Sequence, residues 1–402
     1  MTPPNAKAPD GARSPDEPLR VLIVHNAYQQ RGGEDAVVEA EYSLLQQHGH
    51  PVHLYQRHND ELLGRNPLAL VRDTVWSPQT GRDFAPLLSN FRPDVVHVHN
   101  SFPLVSPSVY WATHRAGVPV VQTLHNFRLI CPQAMLLRNG MVCEDCVGRA
   151  PWPAVVHGCY RGSRAQSAAV AAMLQTHRAL RTWRDKVTLY VALNEFCRDK
   201  FVQGGLPAER IRIKPNFVDL PEPAPQERGG FLFVGRLSAE KGVDVLAAAM
   251  QSAASGVHLR VAGAGPEQAR ISGAPNTTLL GSLDAPAVYA EMARSQALVI
   301  PSIWYENFPR TLVEAFANRL PVIASRLGAL AALVREGDTG LLFEPGDASD
   351  LAARLHWAAA HPEEMARMGR RAREVYELDL SAAANYRQLL AIYREAVLGT
   401  PL

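Results

Sequence analysis

The sequence predicts an α/β protein built of two Rossmann-like domains that face each other across a cleft. Short apolar runs recur along the 402-residue chain, and segments of helical spacing or loop separate them. Such alternation is typical of parallel sheets that carry helices on both faces. A proline-rich stretch at 219–230 interrupts the alternation, which then resumes. We therefore expect two domains joined by a linker at 219–230.

The apolar runs place the strands of each domain. For the first domain, 19–218, we predict a helix at 36–48 and strands at 20–24, 52–55, 95–98, 118–124 and 189–193. For the second domain, 231–381, we predict strands at 231–234, 258–262, 278–280, 297–300, 321–324 and 340–343, and a last helix follows at 382–402. In sheets of this kind, ligands bind beyond the carboxyl ends of the strands.

The composition excludes several classes of protein. The chain has 47% hydrophobic and 20% charged residues and a formal charge of +2, so we expect no nucleic-acid partner. Residues 1–18 are rich in proline and charge, which predicts a disordered tail and not a signal peptide. No stretch approaches the roughly 18 apolar residues of a membrane span. We expect a cytoplasmic protein.

The segment WYENFPRTLVEAFANRLPV, 304–322, is the most informative part of the chain. It places Glu306 in a loop and Glu314 in the helix predicted at 310–319, with Pro309 at the first helical position. The unpaired N–H groups of such a helix, together with its dipole, attract an anion. A loop carboxylate instead favours hydroxyls or positive charge. The combination suits a sugar joined to a phosphate.

A second segment, FLFVGRLSAEKG at 231–242, supports the same interpretation. It predicts a buried strand that ends in a glycine turn, followed by Arg236 and Lys241. Two cations on a strand-to-helix loop can neutralise a diphosphate. The alternative is an ordinary solvated loop, in which charged residues are common.

These two segments carry a family resemblance. The chain resembles the retaining glycosyltransferases of family 4, which have the GT-B fold: G-R-L-x-x-x-K-G matches 235–242, and E-x7-E matches Glu306 and Glu314. Weaker matches are VALNEF at 191–196 and KPNFVD at 214–219. The resemblance runs from about residue 20 to about residue 393. One departure is ENFP after the first glutamate, where the family usually has E-G-F-G.

The resemblance implies a role for each part of the donor site. Glu306 would contact the donor sugar, Glu314 the nucleotide ribose, and His125 would lie close to the transferred sugar. The remaining donor-binding residues would be Arg236, Lys241, Gly263, Asn307, Phe308, Pro309, Leu312 and Val313, with Leu312 and Val313 offering backbone N–H groups to the phosphate. The family also implies that the last helix packs back toward the first domain.

Several residues of the first domain point to the same edge. Gly32 and Gly33 follow the first strand, so they form either a plain turn or a close backbone approach to a ligand on the acceptor side. His99 and His125 end predicted strands at the carboxyl edge, whereas His97 is expected to be a core histidine. We expect His99 on the acceptor side, and Glu306, His125, Arg236 and Lys241 as the catalytic set.

The pattern of acidic residues bears on metal use and on rival chemistries. The sequence has no Asp-x-Asp triplet, and a metal that holds a diphosphate usually needs carboxylates. We therefore expect metal-independent transfer. Two carboxylates can also serve a glycosidase, but the neighbouring cations argue against one. The run GAGPEQ fails the dinucleotide pattern G-x-G-x-x-G because Gln268 stands where the last glycine would be.

A cysteine-bearing insert lies near 131–159. Cys131, Cys143, Cys146 and Cys159 give the spacing C-x11-C-x2-C-x12-C, while Cys197 stands apart. Four thiolates can hold a structural zinc ion tetrahedrally. The alternatives are buried free thiols or a redox-active C-x-x-C pair. We expect the insert to shape the acceptor side.

The segment 161–186 is alanine-rich and basic. Its cations are Arg161, Arg164, Arg178, Arg181, Arg184 and Lys186, against the single acid Asp185. A basic amphipathic helix can lie on an anionic membrane, or it can cover the first sheet with a solvated face. Lipid-linked acceptors are common among the resembling enzymes, which favours contact with the inner face of the cell membrane.

Together these features predict a retaining, nucleotide-sugar-dependent hexosyltransferase. By analogy, its glycan acceptor would be a lipid-linked intermediate of surface polysaccharide synthesis. The rivals are a GT-B phosphorylase, a nucleotide-sugar epimerase and a non-catalytic sugar-nucleotide-binding scaffold. No motif for a pyridoxal lysine supports the phosphorylase, and a scaffold has no need of the full set of Arg236, Lys241, Glu306 and Glu314.

Overall fold

The computed structural model describes residues 17–224, 226–252 and 256–399. Except for Glu17 and Pro18, the tail predicted at 1–18 lies outside the described residues, as do the last three residues of the helix predicted at 382–402.

The first α/β unit contains a parallel sheet and a small hairpin. Its strands are β1 (Val21–Ala27), β2 (Val52–His58), β3 (Val95–Asn100), β4 (Val120–Thr123), β5 (Leu137–Arg138), β6 (Met141–Val142), β7 (Leu189–Ala192) and β8 (Ile211–Ile213). Six of these described strands form the sheet in the order β2-β1-β3-β4-β7-β8, and β5 pairs with β6 in the hairpin. Every residue of β1 and β3 is buried, as expected for strands covered on both faces.

Helices cover both faces of this sheet. They are α1 (Gly33–Gln47), α2 (Pro67–Val75), α3 (Pro78–Phe91), α4 (Ser108–Arg115), α5 (Trp152–His157), α6 (Arg164–Ala179), α7 (Thr182–Asp185) and α8 (Glu195–Gln203), with short 3-10 helices at Asn59–Leu62, Phe127–Leu129 and Ala208–Arg210.

The second unit repeats the architecture. Its strands are β9 (Phe231–Val234), β10 (Leu259–Ala262), β11 (Thr277–Gly281), β12 (Ala297–Ile300), β13 (Val322–Ser325) and β14 (Gly340–Phe343). Its helices, with the last helix of the chain, are α9 (Val243–Ser252), α10 (Gln268–Ile271), α11 (Ala285–Ala293), α12 (Arg310–Ala317), α13 (Gly328–Leu333), α14 (Ala348–Ala360), α15 (Pro362–Val375) and α16 (Ala382–Leu398), with a 3-10 helix at Ala239–Lys241 and a π-helical turn at Tyr376–Leu380. In the described part of the chain, this sheet has the order β11-β10-β9-β12-β13-β14.

The two strand orders locate the binding crevices. In the second sheet the order reverses between β9 and β12, and in the first sheet it reverses between β1 and β3. Loops after adjacent strands diverge at such a switch point and leave a crevice at the carboxyl edge. The crevice of the second sheet is therefore flanked by the segments that carry Arg236, Lys241 and Glu306.

The last helix crosses back to the first sheet. Tyr393 of α16 contacts His97 of β3, with Oη 2.7 Å from Nδ1, and Leu389 and Ile392 pack in one cluster with Val21 of β1. Next to the connecting segment 219–230, the carbonyl of Val218 accepts a 3.0 Å hydrogen bond from Tyr376 Oη.

The structure corrects some predicted elements. The strands predicted at 231–234, 297–300 and 340–343 are confirmed residue for residue. We did not predict β8, whose sequence IRI is short and alternates apolar with charged at the sheet edge. The single basic helix expected across 161–186 is wrong. Arg161 and Arg181 both adopt left-handed φ (54°); Arg161 precedes α6, and Arg181 separates α6 from α7.

Candidate active site

The loop Trp304–Pro309, which we call the Glu306 loop, follows β12 at the switch point. Glu306 is only 5% exposed. Its Oε1 accepts hydrogen bonds from Lys241 Nζ at 2.6 Å and from Ser302 Oγ at 2.7 Å. The structure therefore brings two of the predicted residues into direct contact. Ser302 was not predicted, although its place after β12 at the carboxyl edge is a usable signal.

Lys241 is placed by a turn that only glycine can make. Gly242 has φ of 69°, and a Cβ there would stand 1.8 Å from the carbonyl oxygen of Pro301. The chain after β9 can therefore pass close to the chain after β12, which sets Lys241 against Glu306. The predicted partner cation, Arg236, is more exposed: its guanidinium pairs with Glu240 at 2.5 Å.

Bare backbone forms one wall of the crevice. Gly263 follows β10 with φ of 152°, and a Cβ on it would lie 1.9 Å from the carbonyl oxygen of Gly235. Gly265 approaches Leu237 in the same way, with 2.3 Å from a built Cβ to the carbonyl oxygen. The loops after β9 and β10 thus pack backbone to backbone, and a flat ligand can approach them closely.

The start of α12 departs from the prediction. Pro309 is extended (φ −71°, ψ 114°) and precedes the helix, which begins at Arg310. The N–H of Leu312 donates to the carbonyl of Pro309 at 3.1 Å, and its phosphate role stays a prediction. The phosphate role of Val313 stays a prediction.

Glu314 is buried within the second domain. Its Oε1 accepts from Arg310 Nε at 2.8 Å and from Tyr289 Oη at 3.4 Å. Burial raises the pKa of Glu314, and the positive charge of Arg310 opposes that shift. The sequence did not predict Arg310 or Tyr289 as its partners, because neither belongs to a motif.

The Glu306 loop contacts the first domain through Asn307. Asn307 Nδ2 donates to the carbonyl of Leu124 at 2.9 Å, and the carbonyl of Asn307 accepts from Asn194 Nδ2 at 2.7 Å. Leu124 directly precedes His125. The asparagine that replaces the usual glycine therefore bridges the two domains beside His125, and this contact already engages the side chain that we expected to bind the donor. The neighbouring Phe308 is buried.

On the first sheet, His99 and His125 form a pair. Nδ1 of His99 lies 2.9 Å from Nε2 of His125, and the two rings stack with centroids 5.1 Å apart. His97 lies deeper, between Tyr393 and Thr123, each 2.7 Å from one of its ring nitrogens.

Behind these histidines lies a buried ion pair that the sequence did not predict. Lys214 Nζ contacts Glu41 Oε1 at 2.7 Å, and neither side chain is exposed. Glu41 Oε2 is 3.5 Å from His99 Nε2 and 3.7 Å from His97 Nδ1, so these three residues could offer a metal three ligands. The ammonium of Lys214 already neutralises the carboxylate, and it would repel a metal ion at the same place.

Gly32 and Gly33 lie at the start of α1, the helix that carries Glu41 of this ion pair. Gly32 is the N-cap residue, and its N–H donates to Asp35 Oδ2 at 2.7 Å. A Cβ built on Gly33 would meet nothing within 4 Å, so the loop borders open space. Glu34, which we did not predict, bonds Asn126 and Tyr28 at 2.6 and 2.8 Å. Burial raises the pKa of Glu34 to about 7.

Two family models together match residues 31–375 of this chain. Residues 221–375 match the model of glycosyl transferases group 1, and residues 31–222 match the model of glycosyltransferase family 4. The chain belongs to this glycosyltransferase family. The predicted family is thereby confirmed.

Individual relatives of the glycosyltransferase agree. Over 319 residues it is 29% identical to a glycogen synthase of Mycobacterium tuberculosis, and this match covers 76% of this chain and 68% of the relative. Over 192 residues it is 31% identical to a phosphatidyl-myo-inositol mannosyltransferase of Mycobacterium leprae, covering 44% and 51% of the two chains.

Solved structures confirm the predicted GT-B fold. HepE of Anabaena in complex with UDP superposes with a TM-score of 0.65 at 17% identity, covering 94% of this chain and all of that one. A sucrose-phosphate synthase of Thermosynechococcus elongatus gives 0.69 at 18% identity, covering 95% and 100%.

The cysteines of the glycosyltransferase are all free thiols. Cys131, Cys143, Cys146 and Cys159 line one small cavity. Burial raises the pKa of Cys146 to about 11.

The basic segment of the glycosyltransferase packs partly inward. Met173, Leu174 and Trp183 are buried, and Arg178 Nη1 donates to the carbonyl of Arg149 at 2.5 Å. α6 therefore covers the first sheet, and membrane contact through 161–186 stays a prediction. In the described ranges, no helix has the length and apolar character that crossing a bilayer requires.

The buried histidines predict an acid-sensitive fold. Burial lowers the pKa of His97 to about 4 and holds the pKa values of His99 and His125 well below 6.5. Below pH 6.5 the histidines of the unfolded chain are protonated, whereas the buried native ones stay neutral. The free energy of unfolding therefore falls by up to about 1.4 kcal/mol per pH unit for each histidine. The raised pKa values of the carboxyl groups of Glu34 and Glu314 act in the opposite direction.

We therefore expect the midpoint of urea unfolding to be lower at pH 5.0 than at pH 7.5. His99→Gln should narrow the difference between the two midpoints, because it removes one of the responsible groups. Equal midpoints for the unmodified protein would show that the native histidines are protonated.

Proposed function

We propose that this glycosyltransferase moves a hexose from a nucleotide-diphosphate sugar to a glycan acceptor with retention of configuration. The observation that carries the proposal is the contact of Lys241 with Glu306 at the switch point of the second sheet. A cation and a carboxylate side by side suit a ligand whose diphosphate adjoins a hydroxyl-rich ring.

In the proposed complex Lys241 and Glu306 bind different parts of the donor. Lys241 turns from Glu306 to the diphosphate, and the more exposed Arg236 joins it. Since Lys241 and Ser302 share Oε1 of Glu306, the other carboxylate oxygen can accept hydroxyls of the sugar. Glu314, held by Arg310, would accept the ribose hydroxyls.

We infer that the two cations take the place of a divalent metal on the diphosphate. They stabilise negative charge as the diphosphate leaves, which is the main demand of the step. His125 is neutral at pH 7 because burial lowers its pKa, so it acts as a hydrogen-bonding partner and not as an acid. The departing phosphate oxygen would take the proton of the acceptor hydroxyl.

We also propose a lipid-linked acceptor, as in surface polysaccharide synthesis, which would bring the enzyme to the inner face of the cell membrane. An apolar groove of about 440 Å³ opens on the first domain between α2 and α6. Gln29, in the loop between β1 and α1, borders it. Leu63 is 73% exposed at its rim, beside Arg65 and Arg161. Apolar walls with cations at the rim suit a lipid chain joined to phosphate.

The proposal is tested by thermal shift with UDP, GDP, ADP and TDP and their common sugar conjugates, each with and without EDTA. One nucleotide at about 100 times its Kd should raise Tm by roughly 5–10 °C regardless of EDTA. Lys241→Ala should raise the Kd for that nucleotide at least about tenfold, because a charge-assisted contact is lost.

Lys186→Ala is the matched control, since Lys186 packs on the Trp111 ring in the first domain. Its Kd should equal that of the unmodified protein. If no nucleotide shifts Tm, or if Lys241→Ala binds as tightly as the control, the donor site is wrongly assigned. A shift that EDTA abolishes would refute metal independence alone.

A further inference from the structure

The four cysteines of the insert come from three separate segments. Cys131 follows the 3-10 helix Phe127–Leu129, Cys143 and Cys146 follow the β5–β6 hairpin, and Cys159 follows α5. All four line a single cavity of about 10 Å³. A plain apolar core does not require thiols from distant segments to line the same cavity.

Backbone hydrogen bonds fix each of these segments. The hairpin turns through Asn139 and Gly140 with φ of 52° and 75°, which is the geometry of a tight two-residue turn. The N–H of Cys143 then donates to the carbonyl of Leu136 at 2.8 Å. The N–H of Cys159 donates to the carbonyl of Ala154 at 2.9 Å. The thiols therefore belong to rigid turns.

The cavity is small and lined by thiols. A space of about 10 Å³ is at the lower limit for a water molecule, which suits a single ion. A single zinc ion fits it, and four thiolates are a complete structural zinc set. Among the described residues, no three cysteine sulfurs lie within 4.8 Å of one another, so the side chains would turn toward the ion while the turns stay in place.

The loop between the two central cysteines reaches the Glu306 loop. Glu144 Oε1 accepts from Tyr305 Oη at 2.9 Å and from Lys200 Nζ at 2.7 Å. Lys200 also lies 5.6 Å above the Tyr305 ring, and that ring meets Phe196 edge-on at 4.7 Å. Tyr305 directly precedes Glu306. A residue of the insert thus holds the neighbour of a proposed donor-site residue across the cleft.

We propose that Cys131, Cys143, Cys146 and Cys159 bind one zinc ion, and that the ion fixes Glu144 as a positioning residue for the Glu306 loop. Two of the ligands flank Glu144 at close range along the chain, so the ion would restrain the backbone on both sides of it. The insert would then order the loop on the donor side, and not only shape the acceptor side. The order of the Glu306 loop would depend on these contacts whatever sugar the enzyme transfers.

Metal analysis tests the first part. The full chain, purified and gel-filtered in EDTA, should carry about one zinc ion per chain by mass spectrometry. Cys143→Ser with Cys146→Ser should lose it. A protein without metal whose thiols all titrate, or one that carries iron, would overturn the zinc site. If the double variant does not fold, the metal content of the unmodified chain still decides the question.

Hydrogen exchange tests the second part without a substrate. Glu144→Gln should keep its zinc, yet amide exchange in a peptide covering 303–307 should become about tenfold faster, because hydrogen bonds to a charged group are lost. Removing zinc from the unmodified protein should have the same effect. Glu344→Gln is the matched control, since it makes the same chemical change at the surface, where Glu344 pairs with Arg326 at 3.3 Å. Equal exchange in Glu144→Gln and Glu344→Gln would overturn the positioning role.

Discussion

Glu306→Gln should lower kcat at least about 100-fold while nucleotide binding persists. The substitution keeps the shape and the hydrogen bond from Ser302, but it removes the charge that faces the reacting sugar, and loss of one such electrostatic group typically costs about 10²- to 10³-fold. Lys241 loses its anionic partner at 2.6 Å and is freed for the diphosphate. The Kd for the nucleoside diphosphate should therefore stay equal or fall. Turnover of the identified donor and calorimetry measure the two quantities.

Two further variants sharpen this test. Ser302→Ala keeps the carboxylate and removes one hydrogen bond, so its kcat should lie between those of the unmodified enzyme and Glu306→Gln. Glu344→Gln makes the same chemical change at the surface, where Glu344 contacts Arg326 at 3.3 Å, and should leave kcat unchanged. A fully active Glu306→Gln enzyme would remove Glu306 from the reaction.

The sequence was informative where the structure buries strands on both faces. β9, β12 and β14 are continuous apolar runs, and their predicted limits match. β8 has no such run, because it lies at the edge of the sheet. The break between α6 and α7 depends on the left-handed conformation of Arg181, and arginine gives no sign of that conformation.

The site shows a similar division. Glu306, Lys241 and His125 could be found because each follows a strand at a carboxyl edge. Their partners could not be found, since they depend on packing between segments far apart in the chain. The contact of Tyr305 with Glu144 spans 161 residues, and that of Asn307 with Leu124 spans 183. Glu41 lies within a predicted helix, where a carboxylate would ordinarily belong to the solvent face.

Lys214→Met should destabilise the protein more than any surface substitution. Lys214 and Glu41 form a fully buried pair at 2.7 Å, and the variant leaves the carboxylate in a low-dielectric core without its cation. Removing one partner of such a pair costs about 3–5 kcal/mol. For the first domain this corresponds to a fall in Tm of roughly 10 °C, measured by calorimetry.

The double variant Glu41→Gln with Lys214→Met decides whether the charge is the cause. It removes both charges, so most of the lost stability should return, because a buried pair replaced on both sides is often nearly neutral. The amide introduced by Glu41→Gln can still hydrogen-bond toward His99, which lies 3.5 Å from the present carboxylate. If the two substitutions simply add, Lys214 stabilises the fold by packing and not by its charge. A Lys214→Met protein as stable as the unmodified one would show that the ion pair adds no net stability to the fold.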